Sequence, residues 1–117
     1  MMSKKLEVII NSAIRKANEL KHEYLTLEAM LLAMLDDEQV LEVITNCDAD
    51  PREIRDELEE FLKNPVNFSI LSDQEVEDLS RKQFVDDDLR QLAKDSGITY
   101  QPEISLSLQR VIQRAAI

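Results

Sequence analysis

Only one of the 117 residues is glycine, Gly97. A loop that cradles phosphates with backbone N–H groups needs several glycines, so a Walker-type nucleotide site is excluded. Tight hairpins also depend on glycine, and the aromatic residues that favour strands make up 4% of the chain. The sequence is therefore read as helical.

Periodicity places the helices. Leu6, Ile9, Ile10, Ala13, Ile14, Ala17 and Leu20 recur at the spacing of one helical face, with Lys4, Lys5, Arg15, Lys16 and Glu19 largely between them. One amphipathic helix runs from about Lys4 to Leu20. Residues 21–25 break that period. Thr26 then has the character of an N-cap, and Glu28 falls in the first turn, where a carboxylate meets the positive end of the helix dipole. The helix that follows, Leu27 to about Leu35, is apolar on most of its circumference and belongs in the centre of the core. Asp36-Asp37 caps a third helix, Glu38 to Thr45, carrying Val40, Leu41, Val43 and Ile44. Asp50-Pro51 opens a fourth, because aspartate caps and proline at the first helical position gives up no needed donor. Asn64-Pro65 ends it. Residues 1–64 thus form a bundle of four helices joined by short loops.

Residues 65–103 differ in character. Nine acidic residues stand there against four basic ones, so the stretch carries half of the net charge of -10. It is read as an inserted or linking element, with two potential helices, Asp73 to Arg81 and Asp86 to Lys94, and Gly97 as a stop. Such a charge run is ordinarily a solvated face. The functional alternative is that Phe84, Val85, Leu89 and Leu92 form an apolar face that docks on the bundle or on a partner.

The acidic balance repels phosphate backbones and anionic membranes, and no basic face offsets it, so nucleic acid and membrane surfaces are poor partners. No apolar run reaches the length of a membrane span, and the start MMSKKLEVII turns polar at Asn11-Ser12 before a signal-peptide core is complete, which points to the cytoplasm. Cys47 is the sole cysteine, so no disulfide framework exists, and the expectation for it is a small buried apolar residue.

After Pro102 the helical pattern returns in EISLSLQRVIQRAAI. Setting Leu108 against Ile10 puts Val111 on Ala13, Ile112 on Ile14, Arg114 on Lys16 and Ala115 on Ala17. Residues 104–117 therefore start a second copy of the first helix, and the sequence reads as cut short within that repeat.

These residues carry a resemblance. The corner H-E-Y-L-T-x-E followed by an L-L-A-x-L helix, the proline-initiated DPREIRDELEEFL and the later L-Q-R-V-I-Q-R-A resemble the N-terminal Clp repeat domains of ClpA-like unfoldase subunits over Leu6–Lys63 and Ile104–Ile117. The resemblance implies an all-α bundle of two pseudo-repeats, the second incomplete here, mounted on a ring of ATPase modules outside this chain. It implies a binding module rather than an enzyme. The partners would be a ClpS-like adaptor that delivers N-degron substrates, some unfolded substrates directly, and ClpP only through the ATPase ring. ATP and magnesium would belong to that ring, with no cofactor in this stretch. The family's adaptor-facing positions map onto Glu23, Glu28, Ser105 and Arg110, with Ser105 standing where relatives have threonine. Arg110, able to form a bidentate fork, is the first choice for a hot spot. Local readings stand beside these: Glu28 suits its helix start, and Arg110 suits a solvated helix face.

Other readings remain. A ClpC-like or ClpB-like unfoldase domain serving a different adaptor would share the core helices. A self-associating module would bury the unfinished second repeat in a homodimer. An enzyme is the third reading, and no spacing favours it. A zinc-protease helix needs a second histidine four residues after the first, where this chain has Thr26, and His22 is the sole histidine. Some relatives bind zinc near this histidine through a further histidine that is absent here, so no metal site is carried over. Ser12, Ser105 and Ser107 have no placed base, so no catalytic residues are assigned either. His22 itself is expected to be exposed or half-buried at a helix C-terminus, with an edge role in partner binding as the alternative.

Overall fold

The computed structural model describes residues 3–115, apart from the side chain of Ala115. Among them are seven α-helices: α1 (Lys4–Leu20), α2 (Leu27–Met34), α3 (Glu38–Asn46), α4 (Pro51–Lys63), α5 (Asp73–Gln83), α6 (Asp87–Asp95) and α7 (Leu106–Ala115). A 3-10 turn, Pro65–Asn67, follows α4. The expected continuation of the last helix to Ile117 lies outside the described residues.

Capping chemistry sets the boundaries. Thr26 Oγ1 accepts from the Ala29 N–H at 3.2 Å, Asp37 from Val40 at 3.2 Å, and Asp50 from Arg52 at 2.9 Å, each satisfying a donor that its helix start leaves free. Ser72 and Glu75 form a reciprocal capping box at the start of α5, and Asp86 caps α6. Gly97, at φ 89°, lets the chain turn after α6 beside the aliphatic part of Arg15.

The core lies between α1, α2 and α4. Ala13 and Ala17 on α1, and Ala29 and Ala33 on α2, are buried small residues one turn apart that permit close helix approach, while Ile14, Leu32, Leu35 and Leu62 fill the remaining space. The third helix is peripheral. None of its residues is buried and Val43 is exposed. Its lateral position corrects the expectation for Cys47, which is exposed at the C-cap of α3 rather than buried.

The described residues are all-α as the sequence suggested, apart from one minimal strand pair that sequence reasoning did not anticipate. Tyr24–Leu25 (β1) and Glu103–Ile104 (β2) pair in parallel, Tyr24 with Glu103 and Leu25 with Ile104. The pairing needs no hairpin glycine because its two segments come from opposite ends of the chain. Tyr100, just before β2, is among the largest fully buried side chains. Its hydroxyl reaches the His22 carbonyl at 2.6 Å, and the Asn18 side chain accepts from the Thr99 and Tyr100 N–H groups at 2.8 and 3.1 Å while donating to the Tyr100 carbonyl at 3.0 Å. One amide side chain therefore ties the end of α1 to the approach of β2.

Residues 65–103 are helical where the sequence suggested, but of the apolar face Phe84, Val85, Leu89 and Leu92 only Phe84 is half-buried. Val85, Leu89 and Leu92 are exposed, because Arg90 and Ala93 take the inner side of α6 and the chain turns at Gly97 before the outer side can be covered.

Candidate functional site

The corner between α1 and α2 is built by a backbone reversal. Lys21 adopts φ 58°, its N–H bonds the Asn18 carbonyl, and the His22 N–H bonds the Ala17 carbonyl at 2.9 Å, the paired bonds of a Schellman ending made without glycine. The extended residues that follow are held by two neighbouring segments. Glu23 N–H donates to the Ser69 carbonyl at 3.0 Å and Leu71 N–H to the Lys21 carbonyl at 2.8 Å. Glu103 N–H donates to the Glu23 carbonyl at 3.2 Å and Ser105 N–H to the Leu25 carbonyl at 2.9 Å.

This turn points His22 inward, which corrects the expectation of an exposed or half-buried ring. The side chain is 1% exposed. It stacks on Phe68 with centroids 4.5 Å apart, and Phe68 in turn meets Phe61 edge-on at 5.4 Å. Nε2 lies 3.1 Å from the Leu62 carbonyl. Because a carbonyl only accepts, Nε2 carries the proton and Nδ1 is a bare acceptor, which has no partner among the described residues. No group of three or more His, Cys, Asp or Glu side chains among the described residues is arranged to hold a metal.

Beside this buried ring lies an open cavity of about 240 Å³ whose lining includes His22, Thr26, Glu28, Ser105 and Ser107, together with Asn67, Phe68 and Ser69. Two of the four sequence-derived binding positions, Glu28 and Ser105, thus share one cavity. Glu28 stands half-buried in the first turn of α2. Ser105 caps α7, its Oγ accepting from the Leu108 N–H at 3.2 Å. Glu23 is adjacent through the backbone ladder rather than through the cavity, and its carboxylate accepts from Ser69 Oγ at 2.7 Å. Arg110 is exposed on α7 and does not line the cavity. It lies two residues past Leu108, the buried anchor of that helix, so it points away from the core.

Comparison with known proteins is decisive at the level of family. Residues 1–76 match the model of the Clp repeat (R) N-terminal domain. The chain belongs to the Clp repeat N-terminal domain family. It is also 34% identical over 116 residues to the ClpA homolog protein of Fuscovulum blasticum, an alignment covering 98% of this chain and 12% of that protein. The chain therefore spans about an eighth of the curated relative it matches.

In this Clp repeat domain, sequence reasoning missed Asn67, Phe68 and Ser69, which reach the corner from the chain that leaves α4. The stretch PVNFS has no periodicity or motif to mark it, and only the pairing of residues 69–71 with 21–23 brings it there. Ser107 had a signal, since it lies one position past the start of α7.

Burial holds the His22 imidazole below its ordinary pKa of 6.5, against the smaller opposing effect of the Leu62 carbonyl. The unfolded chain takes up a proton near 6.5 while the folded chain resists until lower pH. The unfolded state then binds more protons, and stability falls as pH drops below about 6.5. No other histidine titrates in this window. The urea midpoint is expected to decrease from pH 7.5 to 5.5, and a His22→Gln variant to show a flat response; equal slopes for both proteins would place the titration elsewhere.

Proposed function

We propose that this Clp repeat domain is the adaptor-docking N-terminal module of a ClpA-type unfoldase, which receives N-degron substrates from a ClpS-like adaptor and passes them to an ATPase ring for delivery to ClpP. The observation that carries the reading is the β1–β2 pairing. It sets Ser105 beside Glu28 at one cavity, with Glu23 just before β1, although about eighty residues separate the two groups in sequence. The carboxylates of Glu23 and Glu28 suit a protein partner that presents lysine or arginine there, and Arg110, outside the cavity on the exposed side of α7, would meet carboxylate or carbonyl groups of the same partner.

In this reading the module performs no chemistry and holds no cofactor; ATP and magnesium act in the ring modules. Tethering the adaptor's cargo makes its transfer to the ring effectively intramolecular. Unfolded substrates that bypass the adaptor would meet the same domain.

Titration calorimetry with a purified ClpS-like protein tests the proposal. Binding is expected, and Glu28→Lys and Arg110→Ala are each expected to weaken it at least tenfold, about 1.4 kcal/mol. A well-folded sample that does not bind, or that binds equally well in both variants, overturns it.

A further inference from the structure

The acidic helix α6 has an apolar stripe that stays exposed among the described residues. Leu89 and Leu92 sit one turn apart and are 58% and 65% exposed, with Val85 just before the helix 84% exposed. On the opposite side Arg90 is drawn inward, its Nε donating to the Phe84 carbonyl at 3.3 Å and its guanidinium pairing with Asp87. The end of the helix is pinned by Arg15, whose Nε donates to the Ser96 carbonyl at 3.0 Å. The helix is thus fixed in an orientation that turns its aliphatic residues outward.

Charge decides what can cover the stripe. Asp88 and Asp95 stand four residues before and three after Leu92, on the same flank of the helix, and both are exposed. Arg90 is already engaged with Asp87, and Lys94, two residues past Leu92, falls on the far side of the helix, so the field along this flank is negative. Anionic lipid and nucleic acid are repelled by such a surface, and a neutral apolar segment would leave Asp88 and Asp95, the latter bonded only to the neutral Gln91 amide at 2.9 Å, without a counter-charge at its rim. We propose that α6 is a second docking surface, separate from the corner, for an amphipathic polypeptide segment that carries lysine or arginine beside aliphatic side chains. Its aliphatic residues pack along Leu89 and Leu92, and its cations meet Asp88 and Asp95.

Fluorescence anisotropy with labelled helical peptides tests this surface. The probes are a leucine–lysine peptide, a leucine–glutamate peptide of the same length and a serine–lysine peptide of the same charge. The leucine–lysine peptide is expected to bind, and the other two to bind at least tenfold more weakly. The paired substitutions Leu89→Ser with Leu92→Ser, and Asp88→Lys with Asp95→Lys, are each expected to reduce the leucine–lysine affinity at least tenfold. All of these positions are exposed, and circular dichroism verifies that the variants stay folded. Glu28→Lys, at the corner, is expected to leave this binding unchanged, so failure here is distinguishable from failure of the adaptor reading. Equal binding of the leucine–lysine and serine–lysine peptides, or binding that survives the paired serine substitution, overturns the proposal. Light scattering that shows wild-type self-association lost in the paired serine variant overturns it too, because the occupant is then a second copy of the chain.

Discussion

Replacing Tyr100 with alanine is expected to destabilise the domain by about 3–5 kcal/mol, the range for emptying a large buried aromatic site. The ring is 1% exposed, and its hydroxyl approaches the His22 carbonyl at 2.6 Å and the Ala17 carbonyl at 3.1 Å. Burial also raises the phenol pKa, so the hydroxyl stays a neutral donor across the working pH range. Tyr100→Phe separates the two contributions. It keeps the ring and removes the donor, and a loss of about 1–3 kcal/mol is expected because the buried His22 carbonyl is left unpaired, whereas the Ala17 carbonyl keeps the His22 N–H. Urea unfolding of the three proteins reads the result. If the alanine variant unfolds at the wild-type midpoint, Tyr100 does not hold the chain together and the description of this corner is wrong.

Leu62→Ala carries the second large effect, about 2–5 kcal/mol. Leu62 is 0% exposed within the cluster shared by α1, α2 and α4. Its neighbour Phe61 is 43% exposed, and Phe61→Ala is expected to cost less than half as much although it removes more atoms. Midpoints measured for both variants check the order, and an inverted order would place the core on the other face of α4. Domains of this size are stable by about 5–15 kcal/mol, so combining Leu62→Ala with Tyr100→Ala is expected to leave little folded protein at room temperature.

The helices were legible because local rules determine them. Thr26, Asp37 and Asp50 are caps in the sequence and caps in the structure, and the apolar period of α1 ends at Leu20 in both. What local rules do not encode is which side a residue faces once the chain reverses. Lys21 takes a left-handed conformation with no glycine to announce it, and that one torsion sends His22 into the interior. Cys47 fails for a related reason, since burial depends on whether α3 is central or peripheral, and its sequence pattern is amphipathic in either case. At the candidate site, Glu28 and Ser105 were assigned by resemblance rather than from any pattern in the residues. The segment that completes their cavity, Asn67 to Ser69, was not legible at all, because it is placed by pairing with residues that precede it by more than forty positions.

The Asn18–Tyr100 bond joins residues 82 positions apart, and the β1–β2 ladder beside it spans nearly the same interval. Closing so long a loop is slow compared with forming any of the helices inside it. On the ribosome, α1 to α4 can therefore assemble while the later residues are still enclosed, yet the cavity shared by Glu28 and Ser105 has no second wall until β2 emerges. A nascent chain of this protein can thus carry a formed bundle before the second wall of this corner exists, and the cavity is completed only once β2 has emerged.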